Sequence, residues 1–117
     1  MGTVNITIVG MKYLDDVTDD DIKNIKYGNI KFSSCSFVAE PHNKHDKNAI
    51  AFYNGKKRIG YVSKDQTSQL QSVIKDRENY QIVPGKRDKF KKFPFNYTNT
   101  NDSTKVIYLW VQSHLIK

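Results

Sequence analysis

Apolar and polar residues alternate over residues 4–9, with Val4, Ile6 and Ile8 set against Asn5, Thr7 and Val9. That is the period of a half-buried strand, and Gly10 ends it. Asp15, Asp16, Asp19, Asp20 and Asp21 follow. Thr18 is placed as the N-cap of a short helix that turns Ile22 and Ile25 inward, and Gly28 stops it. "IKFSSCSFVAE" predicts a second strand over 30–40. "AIAFYNGKKRIGYV" predicts a hairpin, with Asn54-Gly55 as its turn between two apolar runs. Ser63 and Gln66 have the spacing of a capping box. Leu70, Val73 and Ile74 then give the i, i+3, i+4 stripe of an amphipathic helix over 64–75. "YQIVPG" reads as a short strand stopped by Pro84-Gly85, and "KVIYLWVQ" as the last strand. Between them, residues 85–104 show no regular period, which is long for a connection inside a domain. Short strands with little helix predict an all-β fold, a small, partly closed barrel of about five or six strands, since closure removes unpaired sheet edges.

The chain has 117 residues, of which 38% are hydrophobic. This length suits one domain spanning 1–117 and is too short for two. No apolar run approaches the roughly 18 residues of a membrane span. The start "VNITIVG" lacks the basic flank, core length and cleavage site of a signal peptide. Cys35 has no second cysteine to pair with, so neither a disulfide within the chain nor a zinc site built on cysteine pairs is expected. Together these features predict an intracellular, reducing location, cytoplasmic or with the chromosome. In that setting the Asn-x-Ser/Thr triplets at Asn5, Asn96 and Asn101 read as chance matches.

Charge sharpens the reading. Lys and Arg number 19 against 12 Asp and Glu. Residues 1–50 hold 6 basic and 7 acidic groups, whereas residues 51–117 hold 13 and 5, so the second half alone carries +8. The densest piece is "PGKRDKFKKF", in which Lys86, Arg87, Lys89, Lys91 and Lys92 interleave with Phe90 and Phe93. Cations that pair phosphates, with aromatic faces between them, suit a nucleic-acid surface, although the same run also reads as a solvated, self-repelling loop.

Candidate chemistry concentrates in the polar burst Pro41-His42-Asn43-Lys44-His45-Asp46-Lys47, just before the hairpin. The chain has no Gly-x-Ser-x-Gly elbow, no phosphate-cradling GxxxxGK[ST] and no GxGxxG, so the common acyl-transfer and nucleotide sites are excluded. His42, His45 and Asp46 have a spacing open to a metal-dependent hydrolase, but His114 is remote and no HExxH is present. No cofactor or resident metal is expected, and the reading is a binding module, not an enzyme.

"IVGMKY", "EPHNKHDKNAIAF" and "RIGYVSKDQTSQL" resemble, in order and spacing, the HIRAN domain, a small module of DNA-remodelling helicases that also occurs as a stand-alone protein. The resemblance runs from about Ile8 to Ile74, carried by Glu40-Pro41, Asn43, Asp46, Asn48-Ala49-Ile50 and Ile59-Gly60-Tyr61. It implies an OB-like barrel that grips the 3′ end of single-stranded DNA in repair, replication or processing, alone or within a larger DNA-processing complex. On that pattern Lys12 and Tyr13, after the glycine of the first strand, are the basic and aromatic contacts. Asp46 receives the terminal 3′-hydroxyl, and Tyr61 and Lys64 contact phosphate. His45 stands where the family commonly has a stacking aromatic. Single-stranded DNA, or RNA, is the implied partner, and a protein-interaction barrel without DNA binding is the alternative. Each residue also has a plain structural role open to it: Asp46 as a turn cap, Tyr13 as a rim aromatic, Lys64 as ordinary surface and Asn48 as a buried turn bond.

Overall fold

In the computed structural model, residues 2–75, 77–85 and 106–116 are described, with the backbone but not the side chain of Lys12. Six strands, β1 (Gly2–Val9), β2 (Cys35–Ala39), β3 (Ile50–Asn54), β4 (Lys57–Val62), β5 (Tyr80–Pro84) and β6 (Ile107–Ser113), form one antiparallel sheet in the order β2-β3-β4-β1-β6-β5. The sheet curls into a half-barrel, accompanied by two short helices, α1 (Asp19–Lys26) and α2 (Thr67–Leu70). The expected mostly-β barrel is therefore present.

The core follows from alternation. Ile6 and Ile8 of β1 and Ile107, Leu109 and Val111 of β6 turn inward and are buried, and β6 pairs with β1 from Gly2↔Ser113 to Ile8↔Ile107. Phe52 is fully buried against Phe37, its direct partner on β2, with the rings 5.4 Å apart and tilted. Side chains of this size stabilise by about 1.5–3 kcal/mol each when taken out of water.

Curling brings the two edge strands together without a ladder between them. Arg77 spans the gap: its Nε donates to the Cys35 carbonyl at 2.8 Å, Nη1 to the Tyr80 carbonyl at 2.7 Å and Nη2 to the Phe32 carbonyl at 2.9 Å. The Tyr80 hydroxyl accepts from the Phe37 amide at 3.1 Å. One arginine and one tyrosine thus do between β2 and β5 what ladder bonds do elsewhere.

α1 begins as its residues predict. Thr18 Oγ1 accepts from the Asp21 amide and the Asp21 carboxylate from the Thr18 amide, which is a capping box. Asp21 also pairs with Lys57 of β4 at 2.7 Å, and these bonds hold its carboxyl below the ordinary value of 3.8. Gly28, at φ 75°, takes the left-handed turn beyond the helix end.

Four local expectations are corrected. The strand expected over 30–40 begins only at Cys35, because Phe32–Ser34 form a 3-10 turn whose Phe32 carbonyl faces Arg77. The hairpin turns one residue later than expected: Asn54 pairs with Lys57, and Gly55, at φ 63°, leads a Gly55-Lys56 turn. Positive φ at the first central residue alone is the type II′ requirement. The helix over 64–75 is a 3-10 turn at Lys64–Gln66 followed by only four α-helical residues, then turns. Thr67, Ser68 and Ser72 compete for backbone hydrogen bonds, Thr67 Oγ1 donating to the Lys64 carbonyl at 3.2 Å, and burial of Leu70 and Val73 holds the segment in place without regular helix. The capping box at Ser63 does not form. Gln66 instead reaches β1, accepting from the Thr7 amide at 2.7 Å, while Ser63 Oγ donates to Asp65 at 2.6 Å. The irregular stretch expected over 85–104 lies, apart from Gly85, outside the described residues, as do Lys86, Arg87, Lys89, Lys91 and Lys92.

Candidate nucleic-acid interface

The registers place three pieces of chain at one end of the sheet. Tyr61 lies opposite both Ala51 of β3 and Val9 of β1, so the β2–β3 loop (residues 40–49), the end of β4 and the turn after β1 are neighbours. Asp46 and His45 lie on the first, Tyr61 and then Lys64 on the second, and Tyr13 on the third. Lys12 shares the third, with its side chain outside the described residues.

Gly10 and Gly60 permit this meeting. Gly10, at φ 82°, launches the 3-10 turn Met11–Tyr13. A Cβ on Gly60 would sit 2.8 Å from Ile8 Cγ2, from Met11 Sδ and from the Val9 carbonyl oxygen, so only glycine lets β4 pass so close under that turn. Tyr13 emerges 76% exposed, which suits a stacking face at the site's rim and not a core role.

The β2–β3 loop is shaped by two side chains. Asn43 Oδ1 accepts from the amides of His45 (2.9 Å) and Asp46 (3.1 Å), and its Nδ2 donates to Glu40 at 3.0 Å. Asp46 Oδ1 accepts from the Asn48 amide at 2.9 Å. Asp46 therefore caps a turn, and among the described residues its Oδ2 accepts nothing and is available to an incoming donor. Asn48 is exposed and contributes its amide, so the structural amide side chain of the loop is Asn43 instead. The imidazole of His45 is exposed.

Glu40 joins loop to strand. Besides Asn43, it pairs with Arg58 of β4 at 3.3 Å and lies beside Tyr61. Burial and that carboxylate push the Tyr61 phenol above its ordinary 10.0. Tyr61 is therefore a protonated donor at neutral pH. Glu40 and Asn43 stood among the residues that carry the family resemblance but without a role at the site, and nothing in the sequence pointed to Arg58.

Lys64 is exposed, directly after β4, on a segment anchored to β1 by the Ser63 amide to the Thr7 carbonyl (2.8 Å) and by Gln66. An exposed cation, an exposed aromatic, a phenol donor and an open carboxylate oxygen thus share one end of the sheet. Among the described residues no three His, Cys, Asp or Glu side chains converge to hold a metal ion, so His42, His45 and Asp46 are close in sequence without forming a ligand set. No helix among them is long and apolar enough to cross a membrane.

The sequence profile of the HIRAN domain matches residues 1–94. The chain belongs to the HIRAN family. This is a family of binding domains known for nucleic-acid binding. Its solved structural neighbours include the HIRAN domain of human HLTF, with a TM-score of 0.56 at 16% identity over 94% of this chain and 73% of that one. A protein from Lactobacillus plantarum has a TM-score of 0.53 at 16% identity, covering 97% of this chain and all of that one. At such identities the likeness speaks for the fold. No curated protein sequence is significantly similar to the chain. The HIRAN match stops before β6, yet β6 lies between β1 and β5 and supplies four of the buried side chains, so the sheet is completed by residues beyond the matched span.

Proposed function

We propose that residues 1–117 form one HIRAN domain that binds single-stranded DNA and recognises its 3′-hydroxyl end, serving DNA repair, replication or processing. The observation that carries this reading is Asp46: one carboxylate oxygen shapes the loop and the other is open, at the end of the sheet where Tyr13 and Lys64 are exposed. A terminal hydroxyl can donate to a carboxylate, which is acceptor-only when ionised, whereas a terminal phosphate would oppose it charge against charge. Tyr13 supplies a face on which a base stacks whatever its identity, worth roughly 1–3 kcal/mol. Tyr61, protonated, donates to phosphate oxygens, and Lys64 attracts them as a point charge. Lys12 and the cluster Lys86, Arg87, Lys89, Lys91 and Lys92 extend the cationic surface in this reading. His45 takes the family's stacking position with a smaller ring, and so contributes less than Tyr13.

The test uses two variants and two ligands, short strands ending in hydroxyl or in phosphate. Asp46→Asn keeps an acceptor for the Asn48 amide, so the loop holds, but it weakens hydroxyl-end binding and narrows the preference for that end. Tyr13→Ala weakens both ends about equally, by roughly 1–3 kcal/mol. An Asp46→Asn protein with unaltered preference leaves Asp46 as a turn cap only. Loss of neither ligand in either variant would favour a protein-interaction role for this end of the sheet.

A further inference from the structure

β4 has one residue more than the stretch of β3 it pairs with. Ala51 faces Tyr61 and Phe52 faces Gly60, but Tyr53 faces Arg58 and Asn54 faces Lys57, which leaves Ile59 as a bulge. In an unbroken strand, residues three apart point to opposite faces. The bulge cancels one alternation, so Arg58 and Tyr61 share a face and the guanidinium lies 5.6 Å from the Tyr61 ring centroid. Tyr53 stands directly across from Arg58 on the same face.

Arg58 is the charged member of this group, and it has donors to spare. Its side chain is 41% exposed, and its Nη1 meets Glu40 Oε2 at 3.3 Å, at the long end for a charged pair. Among the described residues its Nε and Nη2 donate to no acceptor. A pair this exposed contributes little to stability, and a bulge that turned an arginine outward for that alone would gain nothing. Glu40 meanwhile is held from the other side by Asn43, so it orients the arginine while leaving most of the fork open.

We infer that Arg58 is a further phosphate-contacting residue of the nucleic-acid site, holding the backbone upstream of the nucleotide at Asp46, with Tyr53 and Tyr61 as flanking aromatic faces. The inference rests on the nucleic-acid reading above. A guanidinium presents a planar fork matched to two phosphate oxygens, and an arginine between two phenols is braced for that geometry. Because the contact is to backbone, it grips hydroxyl-ended and phosphate-ended strands alike.

Titration of the full chain with oligothymidylate over a range of salt concentrations tests this. Arg58→Gln should lower affinity about fivefold at moderate salt, the loss expected for one exposed charged contact. It should also reduce the slope of log affinity against log salt by about 0.7, one phosphate fewer on a single strand. Arg58→Lys should restore the slope, and the preference between 3′ ends should be unchanged in both. Glu40→Gln separates positioning from contact: it should leave the slope at the wild-type value. Wild-type slope and affinity in Arg58→Gln would make the residue a surface ion pair and overturn the inference, as would weakened binding at unchanged slope, which is the behaviour of a residue acting only through Glu40. A wild-type protein that binds no strand at all refutes the functional reading itself, and this inference with it.

Discussion

Replacing Arg77 should open the half-barrel where its edges meet. The guanidinium makes three hydrogen bonds of 2.7–2.9 Å to carbonyls of Phe32, Cys35 and Tyr80 and lies 4.6 Å from the Tyr80 ring centroid. Hydrogen bonds to a charged group contribute about 1.5–3 kcal/mol each, but these three share one side chain and are not additive. Arg77 is half-buried, so water re-solvates part of what is lost. Arg77→Met, which keeps most of the stem, should therefore cost about 3–5 kcal/mol, a large part of the 5–15 kcal/mol typical of a whole domain. With a urea m-value of about 1.5 kcal/mol/M, the unfolding midpoint should fall by about 2–3 M. Arg77→Lys should recover only a minority of the loss, because one ammonium cannot reach three carbonyls spread around a planar fork. Hydrogen exchange adds a local readout: the Phe37 amide, bonded to the Tyr80 hydroxyl, should lose protection before the amides of β1 and β6 do. A loss under about 1 kcal/mol, or uniform loss of protection across the sheet, would refute the claim that Arg77 joins the edges.

Three more outcomes follow from single features. Gly60→Ala should destabilise by about 1–3 kcal/mol in thermal or urea unfolding, because the added methyl meets the Val9 carbonyl, which cannot turn away. Asp21→Asn should destabilise at neutral pH and converge with wild type in acid: the folded pKa is lowered, so the contribution is present above 3.8 and is lost as pH falls below it, as unfolding curves across that range would record. Cys35, buried with its thiol pushed up to about 11, should react with alkylating reagent near neutral pH only as fast as the chain opens, so that mild denaturant accelerates labelling steeply; brisk labelling of the native protein would contradict its burial.

What was legible in the sequence was what depends on neighbours along the chain. The β1 alternation, the Thr18 N-cap and the hairpin at residues 50–62 are local patterns, and each appears with a boundary shift at most. Gln66 shows the limit. Its spacing from Ser63 satisfies a capping box, but its amide found the Thr7 backbone 59 positions away, and no local rule weighs that competition. Arg77 is the same case, a lone arginine whose partners Cys35 and Phe32 lie 42 and 45 residues upstream. The site divides in the same way. Asp46, Tyr13, Tyr61 and Lys64 were named through the family resemblance, and the registers bring their segments to one end of the sheet. The Glu40–Arg58 pair was not legible, because a bulge is a property of two strands together, and alternation along β4 read alone sends Arg58 to the face opposite Tyr61.

This HIRAN domain is proposed to read the end of a strand and not merely its charge. Binding of the unmodified protein to one short single strand, prepared with a free 3′-hydroxyl or with a 3′-phosphate and titrated at the same fixed salt, tests that most directly. A carboxylate facing a phosphate should cost on the order of 1–3 kcal/mol, so the hydroxyl-ended strand should bind roughly tenfold to a hundredfold more tightly. Equal affinity for the two ends would contradict the claim and leave only a backbone-binding surface.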